Sequence, residues 1–147
     1  MTYSFLNVHA TLSGPGAVGL NLGAGSAVAE EGIDIEPTED KNVMTIGADG
    51  QGQHSLIASD ASKVTIRYLK TSPMNAILMA LYDLQSASSA LWGQNVITVT
   101  DSGRGDLNVS QTVAFKKKPV INYKKEAGLI EWEFDVVSQS SVLGFGQ

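Results

Sequence analysis

The stretch Ser62–Gln85, SKVTIRYLKTSPMNAILMALYDLQ, constrains this chain more than any other. From Ser62 to Lys70, β-branched and aromatic residues alternate with charged ones, the pattern of a half-buried strand. Ser72 offers an N-cap hydroxyl and Pro73 suits the first helical position, so a helix is predicted over about residues 73–86. Met74, Ile77, Leu78, Leu81 and Leu84 fall at helical spacing along it and form one apolar stripe. No other segment reads convincingly as a helix. The fold expected is therefore one helix laid against a β body.

The rest of the chain fills in that body. Phe5–Leu12 alternates loosely, as a first strand or an arm. Ser13–Ala29 is rich in Gly and Ala; it holds a short strand around Val18–Leu22 and would be very mobile as a free loop. Gly32–Glu36 alternates Ile33 and Ile35 with acids until Pro37 ends it. VMTIGA and HSLIAS flank Asp49-Gly50-Gln51-Gly52, which makes Asn42–Ala58 a hairpin, because Asp and Gly both tolerate positive φ. Asn95–Asp101 and Leu107–Phe115 read as strands joined by a turn at Ser102–Asp106. The cleanest alternation is Gly128–Val137, with Ile130, Trp132, Phe134 and Val136 on one face and Glu131, Glu133 and Asp135 on the other. Together these predict a mainly β protein, an antiparallel β-sandwich or barrel of about seven or eight strands with one flanking α-helix. No repeat or composition break divides the chain. A single domain over residues 1–147 is expected, with an N-terminal arm to about residue 12 and an apolar C-terminal tail from Ser138 to Gln147.

Catalytic and metal chemistry find little material. The chain has no cysteine and only two histidines, His9 and His54, neither with convergent partners. Gly14, Gly16 and Gly19 spell G-x-G-x-x-G, but the following LNLGAGS is not helical, as a dinucleotide loop requires. Arg104-Gly105-Asp106 matches a tripeptide read by integrins and is better explained as a tight turn. Asp34, Glu36, Glu39 and Asp40 have no calcium-loop spacing. No cofactor and no enzymatic activity are expected. The start MTYSFLNVHA lacks the features of a signal peptide, and no apolar run approaches a membrane span, so a soluble protein made in a cytoplasm is the expectation.

Charge is more informative by position than by sum. The net charge of −5 argues against a groove that grips nucleic acid. Glu30, Glu31, Asp34, Glu36, Glu39 and Asp40 place six of 15 acids in one short stretch. Lys116, Lys117, Lys118, Lys124 and Lys125 place half of the ten basic residues in another. Two solvated loops explain this; so do a positive and a negative face that attract in head-to-tail assembly. Glu131, Glu133 and Asp135 leave a second choice open. Lys63 and Arg67 neutralise them if the two strands are neighbours, or the acids face a water-filled space that benefits from being negative.

The run from Gly47-Ala48-Asp49-Gly50, through SKVTIRYLK, to Thr71-Ser72-Pro73-Met74-Asn75 and its apolar helix resembles tail-tube proteins of tailed bacteriophages. Glu131-Trp132-Glu133-Phe134 resembles that family's closing sheet strand, and the likeness covers roughly Ile33–Val137. Ser13–Ala29 is longer than the family's corresponding stretch. The resemblance implies a β-sandwich or barrel shared with secretion-system tube proteins, six copies closing a ring, and rings stacked into a hollow tube through which DNA leaves the capsid. It implies no catalytic residues and no membrane insertion. Partners implied are further copies, with sheath, tape-measure, baseplate and tail-terminator proteins, in a virion assembled in the host cytoplasm. Ring contacts would fall on the Asn42–Ala58 hairpin, with Asp49 and His54, on the termini, with Phe145, and on the acidic and basic segments. Glu131, Glu133 and Asp135 become candidates for the channel wall. The competing class is a monomeric β-sandwich that binds carbohydrate or a receptor, with Trp92, Tyr82 or Tyr123 on a stacking surface.

Overall fold

A computed structural model describes residues 4, 7–22, 28–126 and 128–144. Among these the elements run β1 (Val8–Gly14), β2 (Ala17–Asn21), β3 (Val28–Pro37), β4 (Asn42–Ile46), β5 (Gly52–Leu56), β6 (Ser62–Leu69), α1 (Met74–Ser86), β7 (Asn95–Asp101), β8 (Asp106–Phe115) and β9 (Leu129–Val142). Seven strands form one antiparallel sheet in the order β2-β1-β7-β8-β9-β6-β3, while β4 and β5 pair only with each other. The mainly β body with a single helix is as the sequence predicts. The sheet is open, with β2 and β3 at its two edges, and does not close into a barrel.

Alternation decides which face each strand buries. Val64, Ile66 and Tyr68 of β6 pair with Phe134, Trp132 and Ile130 of β9; Val136 of β9, Val113 and Phe115 of β8, Ile97 and Val99 of β7, and Ala10 and Leu12 of β1 complete the inner face. Each large apolar side chain buried this way contributes roughly 1.5–3 kcal/mol. The sheet curls around this core: Ile33 and Ile35 of β3, near one edge, line the same cavity as Val8 and Val99 from the other half. The Tyr68 hydroxyl donates to the Leu22 carbonyl at 2.7 Å across that curl.

Helix α1 covers the core through Met74, Leu78 and Leu81, spaced four and three apart. The predicted stripe is narrower than its five members, because Ile77 and Leu84 lie on its flank, nearly half exposed. Gln85 is buried in their place. Its Nε2 donates to Asn95 Oδ1 at 2.8 Å and to the Pro15 carbonyl at 3.1 Å, and Asn95 Nδ2 donates back to Gln85 Oε1 at 2.7 Å. At the other end Pro73 flanks the first helical residue, and the Ser72 hydroxyl accepts the Met74 N–H at 3.2 Å. Trp132 Nε1 donates to Asn75 Oδ1 at 3.1 Å, tying that first turn to β9.

Two stretches read as arm and tail carry sheet residues. β1 begins at Val8, and β9 runs on through Ser138–Val142, five residues past the apolar alternation. Polar residues hold that extension because β8 supplies the ladder, Leu107↔Val142 to Gln111↔Ser138. The Gly14–Gly19 stretch is a turn between antiparallel β1 and β2, with Gly16 at φ 89, so no helix follows to receive a nucleotide. Among the described residues no helix is long and apolar enough to cross a membrane.

Candidate assembly surfaces

Three surfaces stand out, and none resembles an active site. The first is the outer face of β3, β6 and β9. The register sets Lys63 opposite Asp135 and Glu36, and Arg67 opposite Glu131. Arg67 bridges two strands, 2.8 Å from Asp34 and 3.3 Å from Glu131; Lys63 lies 3.8 Å from Glu133. The hydrogen bond to Asp34, with the charges of Asp34 and Glu131, outweighs partial burial and holds the guanidinium more firmly protonated. Lys63 and Arg67 do neighbour the acids, as one sequence alternative required. Within the three strands five carboxylates (Asp34, Glu36, Glu131, Glu133, Asp135) face two cations, a balance of −3, while Lys117 and Lys118 of the adjoining loop share a cleft with Glu131 and Glu133.

The second surface is the β4–β5 hairpin. Its turn is built as the sequence dictates: Gly50 has φ 87, and Asp49 Oδ1 accepts the Gln51 N–H at 3.1 Å. The register places Asn42, Met44 and Ile46 on the same face as Leu56, His54 and Gly52. Asn42 Nδ2 and His54 Nδ1 are 3.1 Å apart, so His54 serves the hairpin. Met44, Ile46 and Leu56 are exposed at 57%, 60% and 81%. A two-stranded ribbon with no third strand is marginal in water, so this apolar face calls for a cover. Asp49 and His54 are marked by the turn motif in the sequence, whereas Met44, Ile46 and Leu56 are not. Their common face follows from the two-residue period once the turn is fixed.

The third surface is the strap of residues 116–126 and 128, which among the described residues has no helix or strand. It leaves β8 with the Lys116 N–H on the Glu133 carbonyl at 3.0 Å and returns with the Lys70 N–H on the Gly128 carbonyl at 3.2 Å. Buried Pro119 pins its middle, and Val120, Ile121 and Tyr123 are exposed. Lys118 lies over the Tyr82 ring at 5.6 Å, and Lys70 over the Tyr123 ring at 4.2 Å. Together with Glu131 and Glu133, the strap lines a cleft of about 260 Å³.

The other predicted residues fall as follows. Glu39 and Asp40 sit in the exposed bend between β3 and β4. Glu30 and Glu31 lie on β3, their side chains outside the described residues, as is Phe145 altogether. Tyr82 and Trp92 pack edge to face, with centroids 5.8 Å apart, and both join Phe115. His9 is an exposed residue on β1, and Arg104-Gly105-Asp106 is a turn with Gly105 at φ 81. Among the described residues no group of three or more His, Asp or Glu side chains is placed to hold a metal ion.

A family model described as the bacteriophage PhiTE tail tube protein matches residues 1–144. The chain belongs to that family. Its role is structural, in a virion tail tube. No curated protein matches this tail-tube chain in sequence. Solved structures share its fold at low identity. One is the tube-terminating cap of the anti-feeding prophage, with a TM-score of 0.57 and 9% identity over 98% of this chain and 94% of that one. Another is the sheath/tube terminator of PVC, an extracellular contractile injection system, at 0.55 and 12% over 97% of both chains. A third, the PVC sheath–tube complex, gives 0.55 and 11% over 97% of this chain and 92% of that one. At such identities the likeness is one of fold.

Proposed function

We propose that six copies of this chain close a ring and that rings stack into the hollow tail tube, the conduit through which DNA enters the host. The single observation that carries this reading, beyond family membership, is the β4–β5 hairpin, which carries an apolar face that nothing among the described residues covers. A neighbouring copy that covered Met44, Ile46 and Leu56 would gain about 1–2 kcal/mol for each side chain. The tube is assembled in the host cytoplasm and meets sheath, baseplate, tape-measure and terminator proteins in the finished virion. The chain serves as scaffold and runs no reaction. Glu131, Glu133 and Asp135 belong to the channel wall in this reading, since the β3–β6–β9 face carries no helix and its net charge of −3 keeps phosphates from adhering. Negative-stain microscopy of the purified chain over rising concentration tests the assembly. Rings or hollow tubes are expected, and they should vanish in the Met44→Ser/Ile46→Ser/Leu56→Ser variant while subunit stability changes by no more than about 0.5 kcal/mol. A parent chain that stays a compact 15.5 kDa monomer throughout sinks the proposal.

A further inference from the structure

The ten basic residues divide sharply. Lys41, Lys63, Arg67 and Arg104 each have a carboxylate within 4.0 Å. Lys70 and Lys118 lie over tyrosine rings. The remaining four, Lys116, Lys117, Lys124 and Lys125, have no carboxylate within 4.0 Å among the described residues, although Lys117 shares a cleft with Glu131 and Glu133, and all four stand on the strap, where Glu126 is the one acid. Glu36, Glu39 and Asp40 are likewise exposed, with no cation within 4.0 Å among the described residues. Lys41, beside them in sequence, turns to Asp60 at 3.0 Å.

No ion pair joins these two sets within one subunit among the described residues. Pro37 pairs with Ser62 at one end of β6, with Glu36 just before it on β3 and Glu39 and Asp40 in the bend just after. Leu129 pairs with Leu69 at the other end, where the strap returns with Lys124 and Lys125; its start at Lys116 lies level with Thr65, midway along β6. Eight residues of strand separate the two ends, about 23 Å at roughly 3.3 Å per residue. Each set also has its own apolar companion. The acidic bend runs directly into the hairpin with Met44, Ile46 and Leu56, and the lysines enclose Val120, Ile121 and Tyr123. Opposite charge at opposite ends of one sheet, each end carrying uncovered apolar area, is the layout of a heterologous contact.

Building on the tube reading, we infer that the Lys116–Lys125 strap of one copy docks on the Glu36–Asp40 bend of a second copy, and that this pairing sets the head-to-tail direction of assembly. The strap lysines approach the carboxylates while Val120, Ile121 and Tyr123 come under the neighbour's hairpin.

Charge exchange tests this. One variant reverses the strap (Lys117→Glu/Lys124→Glu/Lys125→Glu), another the bend (Glu36→Lys/Glu39→Lys/Asp40→Lys), and a third carries both sets and so keeps the parent's net charge. All six positions are exposed, and circular dichroism with a thermal melt verifies that each variant folds. Each single reversal should raise the concentration needed for assembly by roughly tenfold or more. An equimolar mixture of the two should assemble again, and the third variant should assemble alone. Folded single-reversal chains that assemble like the parent, or a mixture that recovers nothing, overturn the pairing. A parent that never assembles overturns the tube reading and the pairing together, whereas a parent that assembles alongside unaffected variants overturns only the pairing.

Discussion

The buried amide pair Gln85–Asn95 fastens the one helix to the sheet, and its disruption has a size that the geometry sets. Both side chains are fully buried, and among the described residues no buried side-chain nitrogen or oxygen lacks a partner. A Cβ placed on Gly14 would come within 2.0 Å of Asn95 Oδ1, so the amide lies flat against the β1 backbone with no room to turn toward water. Asn95→Leu removes two hydrogen bonds, each worth about 1 kcal/mol, and strands Gln85 Oε1 at a further 1–3 kcal/mol or so. A loss of roughly 3–5 kcal/mol follows. Gln85→Met strands both Asn95 atoms and the Pro15 carbonyl, with a similar or larger loss. The double variant leaves no amide unpaired, and its cost should fall to about 2 kcal/mol, chiefly from the Pro15 carbonyl. The coupling between the two changes is therefore at least about 2 kcal/mol. Urea unfolding of the subunit measures it, at a concentration low enough that assembly adds nothing by mass action. The losses fit within the roughly 5–15 kcal/mol of a typical domain, so all variants should retain a folded baseline. Single-variant losses that add to within about 0.5 kcal/mol in the double would refute the pairing.

Burial pushes the ionisation of the Tyr68 phenol well above its ordinary value of 10. The unfolded chain then ionises first as pH rises, so the stability from keeping Tyr68 neutral is complete below pH 10 and declines as pH climbs through the folded value. The expected slope is up to about 1.4 kcal/mol per pH unit, and Tyr68→Phe should remove it while losing about 1 kcal/mol at neutral pH; equal slopes in urea titrations from pH 9 to 11 would contradict this. On the outer face, Glu131→Gln/Glu133→Gln/Asp135→Asn leaves two acids against two cations, so tubes should assemble but release DNA more slowly. Unchanged ejection kinetics would remove these acids from the channel wall.

Local rules made some of this structure legible in the sequence, and long-range pairing hid the rest. The strand–turn–helix at Ser62–Ser86, the Asp49-Gly50 hairpin and the strand Asn95–Asp101 depend on periodicity and turn chemistry within a few residues, and they form where those rules place them. Gln85 was hidden because a polar residue at a helix end reads as the start of a solvated linker, and its partner Asn95 comes from the next strand. The extension of β9 was hidden because Ser138–Ser141 owe their conformation to β8. The bulge in β8, where Thr112 takes φ 55, has no signal in a β-branched residue that ordinarily avoids that region. The surfaces divide in the same way. The charge clusters were visible as runs, but that Glu39 and Asp40 lie at the opposite end of β6 from Lys124 and Lys125 follows only from the register.

That register also assigns different work to the two components of each surface. Exposed charges act over a Debye length of about 8–10 Å and speed encounter, yet each rim pair holds a complex by well under 1 kcal/mol. The apolar faces act only at contact and account for most of the hold. A subunit with lysines at one end and carboxylates at the other is therefore oriented before it touches the growing end, and Met44, Ile46 and Leu56 then retain it. Copies arriving in the reverse direction present like charge to like charge and leave before those side chains are covered. In the proposed assembly the separation of unpaired charge along β6 gives a one-way polymer its direction, and the uncovered hairpin gives it permanence.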